Sequence, residues 1–233
     1  MTKPLHKAVI VLGFGSADRL DHGSLVPHAS APGAAVRQAV KEALAAGLKE
    51  LIFVTSDSLT PVETQFGGFG RERAERVVVA RQFAASNLGQ ALCGIRHLLG
   101  EEPFVLLLPA DLREQGDDDA TARLLEGYRE SGGNLVALGD DAVLQRDGSF
   151  AAIAVSAAGR YLLQPAVLDA LEDDPEGGLA AALLTVAEAW PLTALPPSER
   201  RHRVPSLMPT SEAPTVRAPR PVAVVTAAAE AGD

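Results

Sequence analysis

Lys7-Ala-Val-Ile-Val-Leu12, followed by Gly13-Phe-Gly-Ser-Ala-Asp-Arg19, decides the fold. A short apolar run ending in Gly-x-Gly is how an α/β domain turns out of a buried strand and brings bare backbone N–H groups close to a phosphate. Two glycines after a strand also serve as a plain tight turn, so the order of the next elements has to decide between the two. Val36, Val40, Ala43 and Leu44 recur at helical spacing, with Arg37, Gln38, Lys41 and Glu42 on the outer face and Gly47 as the stop. A second strand, Leu51-Ile-Phe-Val-Thr55, comes at once. Strand, helix and strand in this order predict a right-handed βαβ unit with parallel strands.

The rest of the chain repeats the theme. Val77-Val-Val-Ala80 reads as a third strand, and Asn87 as the cap of a helix with the stripe Leu88, Ala91, Leu92, Ile95, Leu98 and Leu99, closed by Gly100. Phe104-Val-Leu-Leu-Leu108 has no polar alternation, as expected of a central strand covered on both faces, and its carboxyl end, Pro109-Ala-Asp-Leu112, lies where open parallel sheets bind ligands. Leu124, Leu125 and Tyr128 mark a helix ended by Gly132-Gly133. Strands are expected at 134–138, 150–155 and 160–163, and helices at 165–171 and 179–190. The expected fold class is α/β: an open, mainly parallel, Rossmann-like sheet with helices on both faces. The domain is expected to span residues 1–195. Residues 196–233, rich in Pro, Ala, Ser, Thr and Arg without period, are expected to be a disordered tail, with a short strand at Val222–Val225 as the minor alternative.

Composition bounds the function. A chain of 233 residues with net charge -9 offers no general basic face for nucleic acid or an anionic membrane, although local N–H groups and a few cations suffice for a small phosphate ligand. No apolar run is long enough to span a bilayer, and the expected compartment is the cytoplasm. The single cysteine, Cys93, excludes an internal disulfide and falls in a helical apolar stripe, so a packing role is expected. His6, His22, His28, His97 and His202 show no ligand spacing, and Asp117, Asp118 and Asp119 read as acids that open a helix rather than a metal cluster.

The segments Lys7–Ile10, Gly13-Phe-Gly15, Glu42-Ala-Leu-Ala-Ala-Gly-Leu-Lys-Glu-Leu-Ile-Phe-Val-Thr55, Arg81-Gln82 before Leu88-Gly-Gln-Ala-Leu92, Gly100-Glu-Glu-Pro-Phe-Val-Leu-Leu-Leu-Pro109 and Gly159-Arg-Tyr-Leu-Leu163 occur in order. Together they resemble successive blocks of the bacterial UTP:glucose-1-phosphate uridylyltransferases, from Lys7 to about Trp190. The resemblance implies a nucleotidyltransferase with UTP over the first βα loop and a sugar phosphate across the carboxyl edge of the sheet. It implies Gly13, Gly15 and Ser16 at the triphosphate, Gln82 and Gly89 at the uracil, and Asp111 as a displaced ligand for Mg²⁺.

The departures bear on activity. Where the family carries Gly-x-Gly-Thr-Arg and then Pro-Lys-Glu-Met-Leu-Pro, this chain has Ala17 in place of the arginine and His28 in place of the lysine. The family's first metal aspartate corresponds to Ala110, with Asp111 one residue late, and one residue reverses side-chain direction in an extended segment. The block holding the second aspartate corresponds to Gly177-Gly-Leu-Ala-Ala-Ala-Leu-Leu184, which has no acid. A Glu-Lys pair in the family's sugar-binding insertion has no counterpart between Asp141 and Gly159. Two readings compete. One is an active uridylyltransferase with displaced groups and Mg²⁺. The other, favoured by the combined losses, is a catalytically degraded relative that acts as a regulatory or oligomerising partner, either as a homo-oligomer or with an active relative.

Overall fold

The computed structural model describes residues 5–12, 33–55, 73–81, 87–109, 119–138, 157–190, 192–195 and 224–225. Among these residues eight strands form one sheet: β1 (Lys7–Leu12), β2 (Glu50–Thr55), β3 (Arg76–Arg81), β4 (Phe104–Leu107), β5 (Asn134–Leu138), β6 (Ala157–Leu163), β7 (Leu192–Leu195) and β8 (Val224–Val225), in the order β3-β2-β1-β4-β6-β5-β7-β8. β1 pairs in parallel with both β2 and β4, and β2 with β3, so β4, expected to be a central strand, lies inside the sheet beside β1. β6 then runs antiparallel to β4 and β5, β7 returns parallel to β5, and β8 is antiparallel to β7. The expected strand at 150–155 lies outside the described residues.

Six helices among the described residues flank the sheet: α1 (Gly33–Ala45), α2 (Leu88–Gly94), α3 (Arg96–Leu99), α4 (Ala120–Ser131), α5 (Ala166–Asp173) and α6 (Gly178–Thr185). Because strand side chains alternate, Ala8, Ile10 and Leu12 pack with α1 and α4 on one face, while Val9 and Val11 pack with α2, α3, α5 and α6 on the other. Every residue of β4 is buried, as its unbroken apolar run requires of a strand covered twice. At the amino edge, Lys7 Nζ donates to the Leu99 carbonyl at 2.7 Å and pairs with Glu102 at 3.0 Å, tying the start of β1 to the end of α3.

Local chemistry sets the helix ends. Asn87 Oδ1 accepts from the Gln90 N–H at 2.8 Å, the expected cap. Gly47 and Gly132 take positive φ, 87° and 67°, where a side chain would be strained, and so stop α1 and α4. The helix expected over 88–99 is broken at Ile95, whose φ/ψ of -105° and 7° is not helical. The one expected over 179–190 ends at Thr185, and the chain turns before entering β7, a strand its neutral Leu-Thr-Ala-Leu sequence did not announce.

Candidate functional site

The segments that carry most of the candidate residues leave the sheet at the carboxyl edge of the parallel strands. Leu12 is in register with Thr55, and Thr55 with Arg81, so the ends of β1, β2 and β3 form one row. Gly13 follows Leu12 and Gln82 follows Arg81, which starts both segments from the same edge, two strands or roughly 10 Å apart. On the other side of β1, Ile10 is in register with Leu107, so the chain leaves β4 toward Pro109 at that edge too. Gly13, Gly15, Ser16, Gln82, Ala110 and Asp111 themselves lie outside the described residues.

Gly89 is described, and it is buried. A Cβ there would stand 2.8 Å from Leu171 Cδ2 and 3.2 Å from Asn87 Oδ1, so the missing side chain lets α2 approach α5. Asn87 adds a second tie, since its Nδ2 donates to the Pro175 carbonyl at 2.9 Å between α5 and α6. The start of α2 is therefore fixed by packing as well as by its cap.

The most organised polar group near this edge is one that sequence reasoning missed. Glu42 was expected on the outer face of α1; it is buried instead, and so is Arg160. Arg160 Nε donates to Glu42 Oε2 at 2.7 Å and its Nη2 to Oε1 at 2.8 Å, a two-point pairing. Thr121 Oγ1 donates to Oε2 at 3.2 Å and Gln38 Nε2 to Oε1 at 3.0 Å. One carboxylate thus holds together α1, α4 and β6. The missed signal was an arginine inside an apolar strand, which demands a buried anion, and Glu42 at i+7 and i+3 from the buried Ala35 and Ala39.

Arg160 also marks where β6 meets the end of β4. It is in register with Leu107, and the preceding Gly159, at φ 66°, accepts the Leu108 N–H at 2.8 Å. The β5–β6 register shifts between Val136 and Leu138, beside this glycine. The network consequently fixes the strand from which the Pro109–Asp111 segment departs.

The segment that the resemblance sets against the second metal block folds as α6. It is Gly178-Leu-Ala-Ala-Ala-Leu-Leu-Thr185, with Leu179, Ala182 and Leu183 buried against the core. A magnesium site needs oxygen donors, chiefly carboxylates, and this helix offers no carboxylate. The residues present at that position do not fit the metal. Among the described residues, no group of three or more His, Cys, Asp and Glu could hold a metal ion.

No protein-family model matches the sequence. A UTP–glucose-1-phosphate uridylyltransferase of Staphylococcus saprophyticus is 25% identical over 198 residues, covering 65% of this chain and 68% of that protein. The chain is thus similar, at low identity, to a bacterial UTP–glucose-1-phosphate uridylyltransferase. Among solved structures, a UDP-glucose pyrophosphorylase complexed with UDP-glucose superposes with a TM-score of 0.55 at 20% identity, over 80% of this chain and 88% of that one. A putative glucose-1-phosphate thymidylyltransferase from Bacillus anthracis gives 0.59 at 16% identity, over 84% and 87%. These structures share the fold of this chain. No helix among its described residues is long and apolar enough to cross a membrane.

Proposed function

We propose that this chain keeps a site for UTP or a related nucleotide at the carboxyl edge of β1 and β3 but has lost efficient uridylyl transfer, and acts as a regulatory or oligomerising relative of an active enzyme. In this reading Gly13, Gly15 and Ser16 receive the phosphates, and Gln82 and Gly89 the base. The observation that carries it is α6. Attack of a sugar phosphate on the α-phosphorus of UTP brings two polyanions together, and the enzyme must supply cations to offset them. Where the resemblance implies an acid for the metal, this chain has an apolar helix built into the core.

The same losses set the expected strength of binding. Backbone N–H groups after Leu12 can still donate to a triphosphate, but the arginine and lysine positions hold Ala17 and His28. Each charge-assisted contact removed is worth about 1.5 to 3 kcal/mol. Calorimetric titration with UTP should give weak binding that changes little on adding or chelating Mg²⁺, and a coupled assay with glucose 1-phosphate should show no UDP-glucose above background. The competing reading, an active enzyme in which Asp111 serves a displaced metal, is favoured by the departure of that segment from β4 next to β1. UDP-glucose formed by the wild-type chain and lost in Asp111→Ala would overturn the degraded reading.

A further inference from the structure

The two edges of the sheet are defended differently. β3, at one edge, begins and ends in arginine, and Arg76 is exposed and pairs with Glu50 at 3.7 Å. Charges on an edge strand discourage pairing with another chain. β7, toward the other edge, is Leu192-Thr-Ala-Leu195, with no charge and no proline, and Leu192 and Ala194 are buried in the core. What covers it is β8, with Leu192 in register with Val225 and Thr193 with Val224.

That cover is not a hairpin. Neighbouring antiparallel strands need only about two residues between them, and short loops impose the register through turn geometry. Here residues 196–223 separate β7 from β8. The turn cannot dictate the pairing, so the strand must be held by its own fit to the β7 edge.

From this we infer that the β7 edge is a strand-docking site, that its occupant is the chain's own Val224–Val225 strand bound in cis, and that this strand serves to keep two sheets from joining edge to edge. Its interaction is main-chain pairing in the manner of β-strand addition. The docking is independent of whether any nucleotide binds.

Two experiments on the full chain test it. In a Cys93→Ala background, T193C/V224C places thiols at directly opposed positions. Mild oxidation should form a disulfide within one chain; a disulfide-linked dimer would assign the edge to a second copy, and no disulfide would deny the docking, and either result overturns the proposal. In the second, Val224→Pro removes a backbone donor from the strand. Amide exchange at Leu192–Leu195 should then accelerate at least about tenfold and the sedimenting mass should rise with concentration. Both effects should be reversed by an excess of a peptide spanning residues 219–228, and not by the same peptide carrying V224P. Unchanged exchange and mass in a chain whose β1, β2 and β4 amides remain protected, or rescue by both peptides alike, would overturn the guarding role.

Discussion

Arginine meets carboxylates in two places in this molecule, with opposite consequences. Arg160 lies inside, its guanidinium paired at two points with Glu42 and their side chains only 3% and 1% exposed. Arg96, at the start of α3, faces Asp169, Glu172 and Glu101 at the surface, where those acids are 60%, 47% and 77% exposed. The outer cluster holds more acids, yet the inner pair matters more to the fold. Water screens and replaces each outer contact at little cost, whereas neither inner charge has water to fall back on. What the comparison teaches is that an ion pair is consequential for what its loss strands in the core, rather than for the attraction it supplies.

Removing one inner partner should therefore produce the largest effect. Glu42→Ala takes from the buried Arg160 guanidinium the carboxylate it meets at two points, and from Thr121 and Gln38 an acceptor. A loss of about 3 to 5 kcal/mol is expected, read as a lowered urea midpoint at unchanged slope. Replacing both partners together, as E42L/R160M, should cost far less than the sum of the single changes, because no charge is then stranded. Additive costs in that cycle would place the importance of the two residues in packing and remove the contrast with Arg96.

A smaller change sharpens the same contrast. Thr121→Val keeps the shape of a side chain that is fully buried and removes only the hydroxyl that donates to Glu42 Oε2. With Arg160 still holding both oxygens, the expected loss is about 1 to 2 kcal/mol. It should nearly vanish in the E42L/R160M background, where no carboxylate remains to be satisfied. Chemical denaturation of the four chains would show this directly.

The parallel half of the sheet was legible because its signals are local. Unbroken apolar runs at 8–12, 51–54 and 104–108 say both strand and burial, and glycines at 47, 100 and 132 punctuate the helices. β7 was missed because four neutral residues carry no alternation strong enough to stand out from the Pro-rich sequence beyond them. The break at Ile95 was missed for another reason: a stripe from Leu88 to Leu99 is compatible with one helix or with two short ones on the same face. Glu42 shows the limit most clearly. Its partner is 118 residues away on β6, and periodicity along α1 cannot reveal an arginine that arrives across the fold. At the candidate site, the parallel βαβ unit and the buried central strand could be read from the residues alone, but Gly89 shows that one glycine can answer to packing before any ligand is considered.

The outer cluster allows the finest test, because it borders the cysteine. Burial is the largest cause lifting the Cys93 thiol above its ordinary value; Glu172 lifts it further, and Arg96 pulls the other way. The folded chain thus holds that proton more tightly than the unfolded one. Its small stabilising effect is complete below the ordinary thiol pKa, about 8.5, and fades as pH rises through the folded value. Arg96→Ala should leave the urea midpoint close to wild type, since its partners return to water, but should slow alkylation of Cys93 by iodoacetamide near pH 8.5 by leaving less thiolate. Glu172→Gln should speed it. The opposed signs matter, because loosening of α2 and α3 would expose the thiol and accelerate both variants. Raising the salt concentration should draw both rates back toward each other, as expected of charges that act through solvent, while leaving the cost of Glu42→Ala nearly untouched. If salt erased that cost too, the Glu42 carboxylate would have to be within reach of water, and the difference between the two clusters would be one of degree.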